Sequence, residues 1–221
     1  MAQVFLGVGH GGKDSGAVGN GFKESNLNLS IALACNEVLT RHGINVLMSR
    51  TKDENDVLTE EITECNTFGP DLAVDIHNNA GGGDGAEVYH YSKGGKSKTL
   101  AENILNEIVS AGQNSRGIKT RLNDNGFDYY GFIRQTEAPA VIVECAFIDN
   151  SKDIAIIDTP AEQKEMGIAI AKGILKTLGI KYVPPKVQKI YRVQVGAYAN
   201  KANAEAMQKK LKADGYDAII V

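Results

Sequence analysis

At 221 residues the chain is long enough to bury one substantial core and carry a small appendage. A hydrophobic fraction of 43% and a charged fraction of 23% are those of a soluble globular protein, and a net charge of -3 provides no basic footprint, so neither nucleic acid nor membrane is expected as a partner. Cys35, Cys65 and Cys145 are too few and too scattered for a disulfide framework, and no apolar run reaches the length of a membrane span.

In chain order, "QVFLGVG" predicts a short buried strand ending in glycines, and "NLNLSIALACNEVLTRHG" an amphipathic helix that stops at Gly43. "INVLMSRT" is a strand, "TEEITECNTFG" a helix with Gly69 and Pro70 behind it, and "DLAVDIHNNA" another strand. After the loop "GGGDG", "AEVYHYS" reads as a strand and "SKTLAENILNEIVSAG" as a helix. "GIKTRL" and the nearly all-apolar "APAVIVECAFI" follow as strands, the second placed centrally in a covered sheet. "TPAEQKEMGIAIAKGILKTLG" supplies a last helix, with Pro160 at its start. This alternation predicts an α/β fold with a mainly parallel, twisted sheet and helices on both faces. The pattern breaks at "IKYVPPKVQK", which reads as a stiff linker. The expected division is one α/β domain over 1–179, a linker over 180–189 and a short C-terminal βαβ unit over 190–221.

Seven glycines fall within residues 7–22, ahead of the first helix. They do not cradle a phosphate: no GKS or GKT closes a P-loop, no GxGxxG opens a helix, and Asn20 to Ser25 intervene before the helix proper. A metal is the better reading. His10 and His77 each fall at the C-terminal end of a predicted strand, where sites form in open α/β sheets. Glu24 stands at the adjacent helix start. Two imidazoles and a carboxylate make a three-ligand zinc set with one position left for water. Position alone equally allows Glu24 as a first-turn carboxylate that complements the helix dipole, His77 as a satisfied histidine at a strand end and His10 as a polar loop residue, so spacing by itself does not decide. Glu144, within the apolar "PAVIVECAF", is costly to bury uncompensated, and burial raises a carboxyl pKa into the range useful for proton transfer. An ion pair with Arg134 is the alternative account.

Four ordered blocks, "VGHGGKDSGAVGNGFKESNLNL", "VDIHNNA", "GAEVYHY" and "APAVIVECAFIDN", resemble the signature blocks of the zinc-dependent N-acetylmuramoyl-L-alanine amidases of the amidase-3 family. The resemblance implies that His10, Glu24 and His77 bind Zn2+ and that Glu144 is the catalytic acid/base. The family's strand-end block usually reads Ser-Ile-His-Ala-Asn, whereas this chain has Asp75-Ile76-His77-Asn78-Asn79. Asp75 therefore stands either to orient an imidazole or as an ordinary polar strand residue. His90, His42 and Cys145 read as packing, helix-end and core residues. The aromatics of "LNDNGFDYYGF" read as substrate contacts or as turn anchors.

The resemblance implies a peptidoglycan hydrolase that cuts the amide between N-acetylmuramic acid and the L-alanine of the stem peptide. A zinc peptidase acting on another wall bond and a non-catalytic wall-binding protein are the alternatives. "YRVQVGAYANKANAEAMQKKLKADGYDAIIV" resembles the first half of a sporulation-related (SPOR) domain, which implies wall binding. The missing second half leaves two expectations: a truncated, partly disordered or intramolecularly docked tail, or a homodimer in which two such halves pair. The start "MAQVFLGVGH" lacks a secretory signal's basic and apolar regions. The expectation is synthesis in the cytoplasm and action at the bacterial cell wall after release, in the manner of a phage endolysin or another enzyme of host lysis.

Overall fold

The computed structural model describes residues 1–185 and 193–220. The chain divides into two compact units, Met1–Val183 and Pro184–Val221. Its strands, in chain order, are β1 (Gln3–Val8), β2 (Val18–Gly19), β3 (Phe22–Lys23), β4 (Asn45–Met48), β5 (Leu72–Asn79), β6 (Ala86–His90), β7 (Ser115–Lys119) and β8 (Ala140–Phe147). The helices are α1 (Glu24–Arg41), α2 (Leu58–Phe68), α3 (Lys96–Ser110), α4 (Gly131–Gln135), α5 (Ser151–Ile154), α6 (Pro160–Thr177) and α7 (Lys201–Ala213).

Six strands form one sheet in the order β4-β1-β5-β8-β6-β7, and β2 and β3 form a separate two-stranded ribbon. The pairs β1–β4, β1–β5, β5–β8 and β6–β7 are parallel, while β6 runs antiparallel to β8. The expected mainly parallel α/β sheet is present, with this one reversal. Its cause is the short, helix-free connection from β5 to β6. A parallel return needs about a dozen residues or more of crossover.

Alternation along the three central strands sorts the side chains onto two faces. Val4, Leu6, Val8, Leu72, Val74, Ile76, Val141, Val143 and Cys145 join one large core with residues of α1, α3 and α6. Each fully buried Ile, Leu or Val there contributes about 2 kcal/mol, which fixes the register of every strand. On the opposite face, Phe5, Ala73, Ala140 and Ile142 pack with Ile62 and Cys65 of α2 and with Phe132 and Ile133 of α4. That second cluster covers the N-terminal part of the strands. Gly7, Asp75, His77 and Glu144 follow on the same face toward the strands' C-terminal ends. Pro160 opens α6 behind a capping box in which Thr159 and Glu162 satisfy each other's backbone N–H groups.

Residues 180–183 pack on this first unit: Ile180 N–H donates to Leu175 O, Val183 N–H to His42 Nε2, and Tyr182 stacks on His42 with ring centroids 5.5 Å apart. The rest of the expected linker lies partly outside the described residues. In the second unit, α7 forms as expected, capped by the Asn200 side chain accepting from Ala202 N–H. The expected βαβ unit is not completed: residues 193–199 and 216–220 carry no strand, and Tyr191, Arg192 and Val221 lie outside the described residues. The physical reason is that a strand needs a ladder partner, and two short segments around one helix bury too little to hold one. No residue of α7 is buried. Among the described residues, no helix is long and apolar enough to cross a membrane.

Candidate active site

β1 and β5 end side by side, and β8 ends on the other side of β5, so three chain segments deliver polar side chains to one place. His10 follows β1 in the left-handed region, with φ 63. A non-glycine residue there stores strain of about 1–3 kcal/mol, which the surroundings must hold. They do so through Arg50, which is almost fully buried. Its Nε donates to Val8 O at 3.0 Å, and its Nη2 to Gly9 O at 3.3 Å and Ser25 O at 2.7 Å. This one side chain ties the end of β1 to the start of α1. Asn28 adds a 2.9 Å bond from Nδ2 to Gly9 O.

Glu24, the first residue of α1, is buried and uses both carboxylate oxygens. Oε2 lies 3.2 Å from His10 Nε2 and accepts from Ala17 N–H at 2.9 Å. Oε1 lies 3.0 Å from His77 Nδ1 and accepts from Asn78 N–H at 3.1 Å. Burial alone would raise its pKa, but the hydrogen bonds from His10 and His77 outweigh it and hold the carboxyl well below the usual range. The first-turn helix-dipole role is therefore the lesser part of what Glu24 does. Close approach makes two glycines obligatory: a Cβ on Gly9 would overlap the His77 ring, and one on Gly16, at φ +61, would meet Glu24 Oε2 and His10 Cδ2 at 2.6 Å.

The two imidazoles meet edge to face, with ring centroids 5.1 Å apart. The far nitrogen of each is engaged: His10 Nδ1 lies 2.8 Å from Asp14 Oδ2, and His77 Nε2 lies 3.1 Å from Asp75 Oδ2. The near nitrogens face Glu24. The Glu24 hydrogen bond raises the His10 pKa, with burial opposing and Asp14 adding to it. For His77 burial opposes charge, but Asp75 and Glu24 outweigh it and raise the pKa well above its ordinary value. One ligand atom from each of His10, Glu24 and His77 lies within 4.8 Å of the others. Two borderline nitrogens, one ionised oxygen and a carboxylate behind each ring are the donor set that suits zinc.

Glu144 stands opposite His77 in the β5–β8 register and opposite Glu87 in the β6–β8 register. Its Oε2 is buried and has no hydrogen-bond partner. Burial is the main cause that pushes its pKa up to about 7; His77 pulls it down, and Glu24, Asp75 and Glu87 add to the rise. The alternative ion pair does not form: Arg134 Nη1 instead donates to the carbonyls of Asp128 and Tyr129. Glu87 is the carboxylate that is ion-paired, with Arg116 at 2.8 Å and with Lys119. A hydrogen-bonded neutralised Glu87 beside an orphaned Glu144 separates a structural carboxylate from one free to take a proton.

Of the remaining singled-out residues, His42 caps α1 with Nδ1 2.7 Å from Val38 O, and His90 is buried with Nδ1 2.9 Å from Tyr91 O. All three cysteines are free and buried. In "LNDNGFDYYGF" the aromatics divide: Phe132 is core, Tyr130 packs on Tyr89 at 4.8 Å, Arg121 lies over Tyr129 at 3.7 Å, and Phe127 is exposed. Sequence reasoning missed Asp14 and Arg50. Asp14 has a local signal, lying four residues after His10. Arg50 has none, because the carbonyls it holds, those of Val8, Gly9 and Ser25, are distant in sequence.

Residues 4–176 match the family described as N-acetylmuramoyl-L-alanine amidase, and residues 171–221 match the SPOR domain. The chain is 33% identical over 225 residues to the sporulation-specific N-acetylmuramoyl-L-alanine amidase of Bacillus subtilis (strain 168), covering 100% of this chain and 85% of that protein. It is 34% identical over 182 residues to the endolysin of Bacillus phage SPP1, covering 80% of this chain and 66% of that one. Among solved structures, the catalytic domain of CwlV, an N-acetylmuramoyl-L-alanine amidase from Bacillus (Paenibacillus) polymyxa, superposes with a TM-score of 0.73 at 30% identity, covering 82% of this chain and 100% of that one.

Proposed function

The chain belongs to the N-acetylmuramoyl-L-alanine amidase family, and we propose that within it His10, Glu24 and His77 hold a zinc ion while Glu144 moves the proton of the reaction. The chain is a peptidoglycan hydrolase of that specificity, cutting between N-acetylmuramic acid and the stem-peptide L-alanine. This sets aside the zinc peptidase and the non-catalytic wall-binding protein.

The observation that carries the site assignment is the convergence of three ligand atoms beside a carboxylate whose Oε2 is buried and unpartnered. Zinc, when bound there, lowers the pKa of a water and polarises the scissile carbonyl. Glu24 supplies the negative charge that offsets the metal, and Asp14 and Asp75 keep the two rings turned toward it. Glu144 accepts a proton from the attacking water at Oε2 and returns it to the leaving L-alanine nitrogen. A pKa near 7 suits both halves of that task. Replacing Glu144 with Gln and assaying purified cell walls tests the assignment: stem peptides must cease to be released while zinc stays bound.

The SPOR match supports peptidoglycan as the partner of the tail. The setting best supported is wall turnover in sporulation rather than the expected host lysis. The sporulation-specific relative is matched over the whole chain, tail included, whereas the phage endolysin is matched over 80% of it. Pairing of two tails in a homodimer is a further proposal, supported by exposed Val195, Tyr198, Ile219 and Ile220 in segments that have no ladder partner among the described residues. Light scattering on the full chain and on one ended before Pro184 tests it; equal, monomeric masses overturn it.

A further inference from the structure

On the far side of Glu144 from His77, β6 and β7 carry a second set of charges. Glu87 is the register partner of Glu144, so the two share a face of the sheet. Its side chain is buried and both oxygens are fully used. Oε1 accepts from Asn79 Nδ2 at 3.0 Å and from the Tyr89 hydroxyl at 2.9 Å, and Oε2 accepts from Arg116 Nε at 2.8 Å and from Lys119 Nζ. Arg116 and Lys119 are three positions apart, and in a regular strand such residues point to opposite faces. A bulge removes the conflict. Ala86 pairs with Ser115 but Val88 with Ile118, so β7 spends one extra residue there, and Gly117 takes the left-handed backbone, φ +86, that the extra residue needs. Both cations are thereby turned to the face of Glu144, while Ile118 packs against the large core.

We propose that Arg116 is a specificity-determining residue that binds a carboxylate of the stem peptide, one or two residues beyond the scissile bond. Its guanidinium is held on two sides: Nε is committed to Glu87, and Cζ lies 4.8 Å from the centroid of the Phe147 ring. Phe147 reaches this face because β8 also spends an extra residue, pairing Glu144 with His77 but Phe147 with Asn79. Neither Nη of Arg116 has an acceptor among the described residues, and the side chain is 37% exposed. A planar fork whose stem is fixed and whose outer N–H groups are open suits bidentate recognition of a carboxylate. Its place in the sheet agrees with the direction of the reaction. His77, Glu144, Glu87 and Arg116 stand on β5, β8, β6 and β7, which are neighbours in that order. Glu144 returns its proton to the leaving nitrogen, so the stem peptide lies on the Glu144 side of the metal ligands, toward β7. Arg116 touches side chains of both β6 and β8, which sets it about one strand spacing from Glu144, roughly the length of one or two extended residues. The residue after L-alanine in a stem peptide presents there either a carboxylate or its amide, and the guanidinium distinguishes them.

The inference rests on the amidase reading of the site, and the experiment keeps the two apart. The probes are two soluble N-acetylmuramoyl-L-alanyl peptides whose next residue is D-glutamate in one and carries an amidated α-carboxyl in the other. Hydrolysis of both, and calorimetric binding of both, are measured on the full chain and on its Arg116→Gln and Arg116→Lys variants, with a melt on each. Arg116→Gln leaves Glu87 paired with Lys119, so it is expected to melt near the parent. The parent should show a KM about 10- to 100-fold lower for the acid than for the amide, the worth of hydrogen bonds to a charged group. Arg116→Gln should raise the KM of the acid to that of the amide while leaving kcat and the amide's KM near the parent values. Arg116→Lys keeps the charge without the fork and should retain only part of the preference. A parent that does not discriminate, or an Arg116→Gln variant that loses equally on both peptides, overturns the inference. Should Arg116→Gln melt far below the parent, the parent's preference and its reduction in Arg116→Lys decide. A parent that cleaves neither peptide overturns the amidase reading, and the ratio of the two binding constants then decides the inference alone.

Discussion

His77 and Glu144 stand directly opposite each other on neighbouring parallel strands, in the centre of the sheet and on the same face. The ladder leading into the pair, from Ala73–Ala140 to Ile76–Val143, keeps an unbroken register, and the register shifts just beyond it, between His77 and Asn79. Backbone pairing thus sets the proposed ligand and the proposed acid/base side by side.

Glu144→Gln keeps that backbone and the shape of the side chain but removes the proton acceptor. Turnover on purified walls is expected to fall by about 10²- to 10⁴-fold, the contribution typical of a positioned general base. Zinc content, measured by atomic absorption, is expected to stay at the parent value.

The raised pKa of Glu144 also has a stability consequence. A carboxyl with an ordinary value of 4.5 that sits near 7 in the folded protein favours folding fully below 4.5 and loses that contribution as pH rises through 7. In the metal-free protein at about pH 8, Glu144→Gln should therefore be more stable than the parent, by at most roughly 3 kcal/mol. Denaturant melts at about pH 8 and about pH 4 check the sign, since the gain must shrink at the lower pH.

The glycine loop is expected to fail by crowding. Gly16→Ala forces a side chain into a left-handed backbone and against Glu24 Oε2 and His10 Cδ2 at 2.6 Å, and Gly9→Ala drives one into the His77 ring. Left-handed backbone alone costs roughly 1–2 kcal/mol. Both variants should bind zinc at least about tenfold more weakly by chelator competition, the scale seen when ligand orientation is disturbed.

Arg50 anchors the same loop from beneath by donating to Val8, Gly9 and Ser25 carbonyls. Arg50→Met fills much of the space yet leaves those acceptors without their donor, at about 1–3 kcal/mol for each buried group left unpaired. A drop in melting temperature together with weaker zinc binding is the expected result of calorimetry and titration.

Ending the chain before Pro184 removes the second unit and leaves Met1–Val183 whole. The shortened protein should melt as the parent does and hydrolyse soluble muropeptides at the parent rate, while sedimenting less with insoluble walls. Equal sedimentation would remove the tail from wall binding.

Much of this was open to sequence reading because the relevant physics is local. The period-2 and period-3.6 patterns mark β1, β5, β8, α1 and α6, and the strand-end placement of His10 and His77 follows from them. Glu144 stands out because a carboxylate interrupts an apolar run. Four short elements, the β2–β3 ribbon, α4 and α5, carry no periodicity to detect. Glu61 was hidden for a different reason: on α2 it looks like one of three exposed glutamates, yet it is buried, with Oε1 against the place a Cβ on Gly7 would take. The tail differs. Its alternation is that of a strand, yet among the described residues 193–199 carry no ladder, and propensity without a partner does not make one.

The most direct test is one digestion followed by mass spectrometry. Purified peptidoglycan is treated with the parent, with parent stripped of metal by a chelator, with the same sample after added zinc, and with zinc-loaded Glu144→Gln. Stem peptides with a free L-alanine amine and intact glycan strands are expected from the parent and the zinc-restored sample, and none from the other two. Release of the same peptides by the stripped enzyme or by zinc-loaded Glu144→Gln, or cleavage at any other bond, would contradict this expectation.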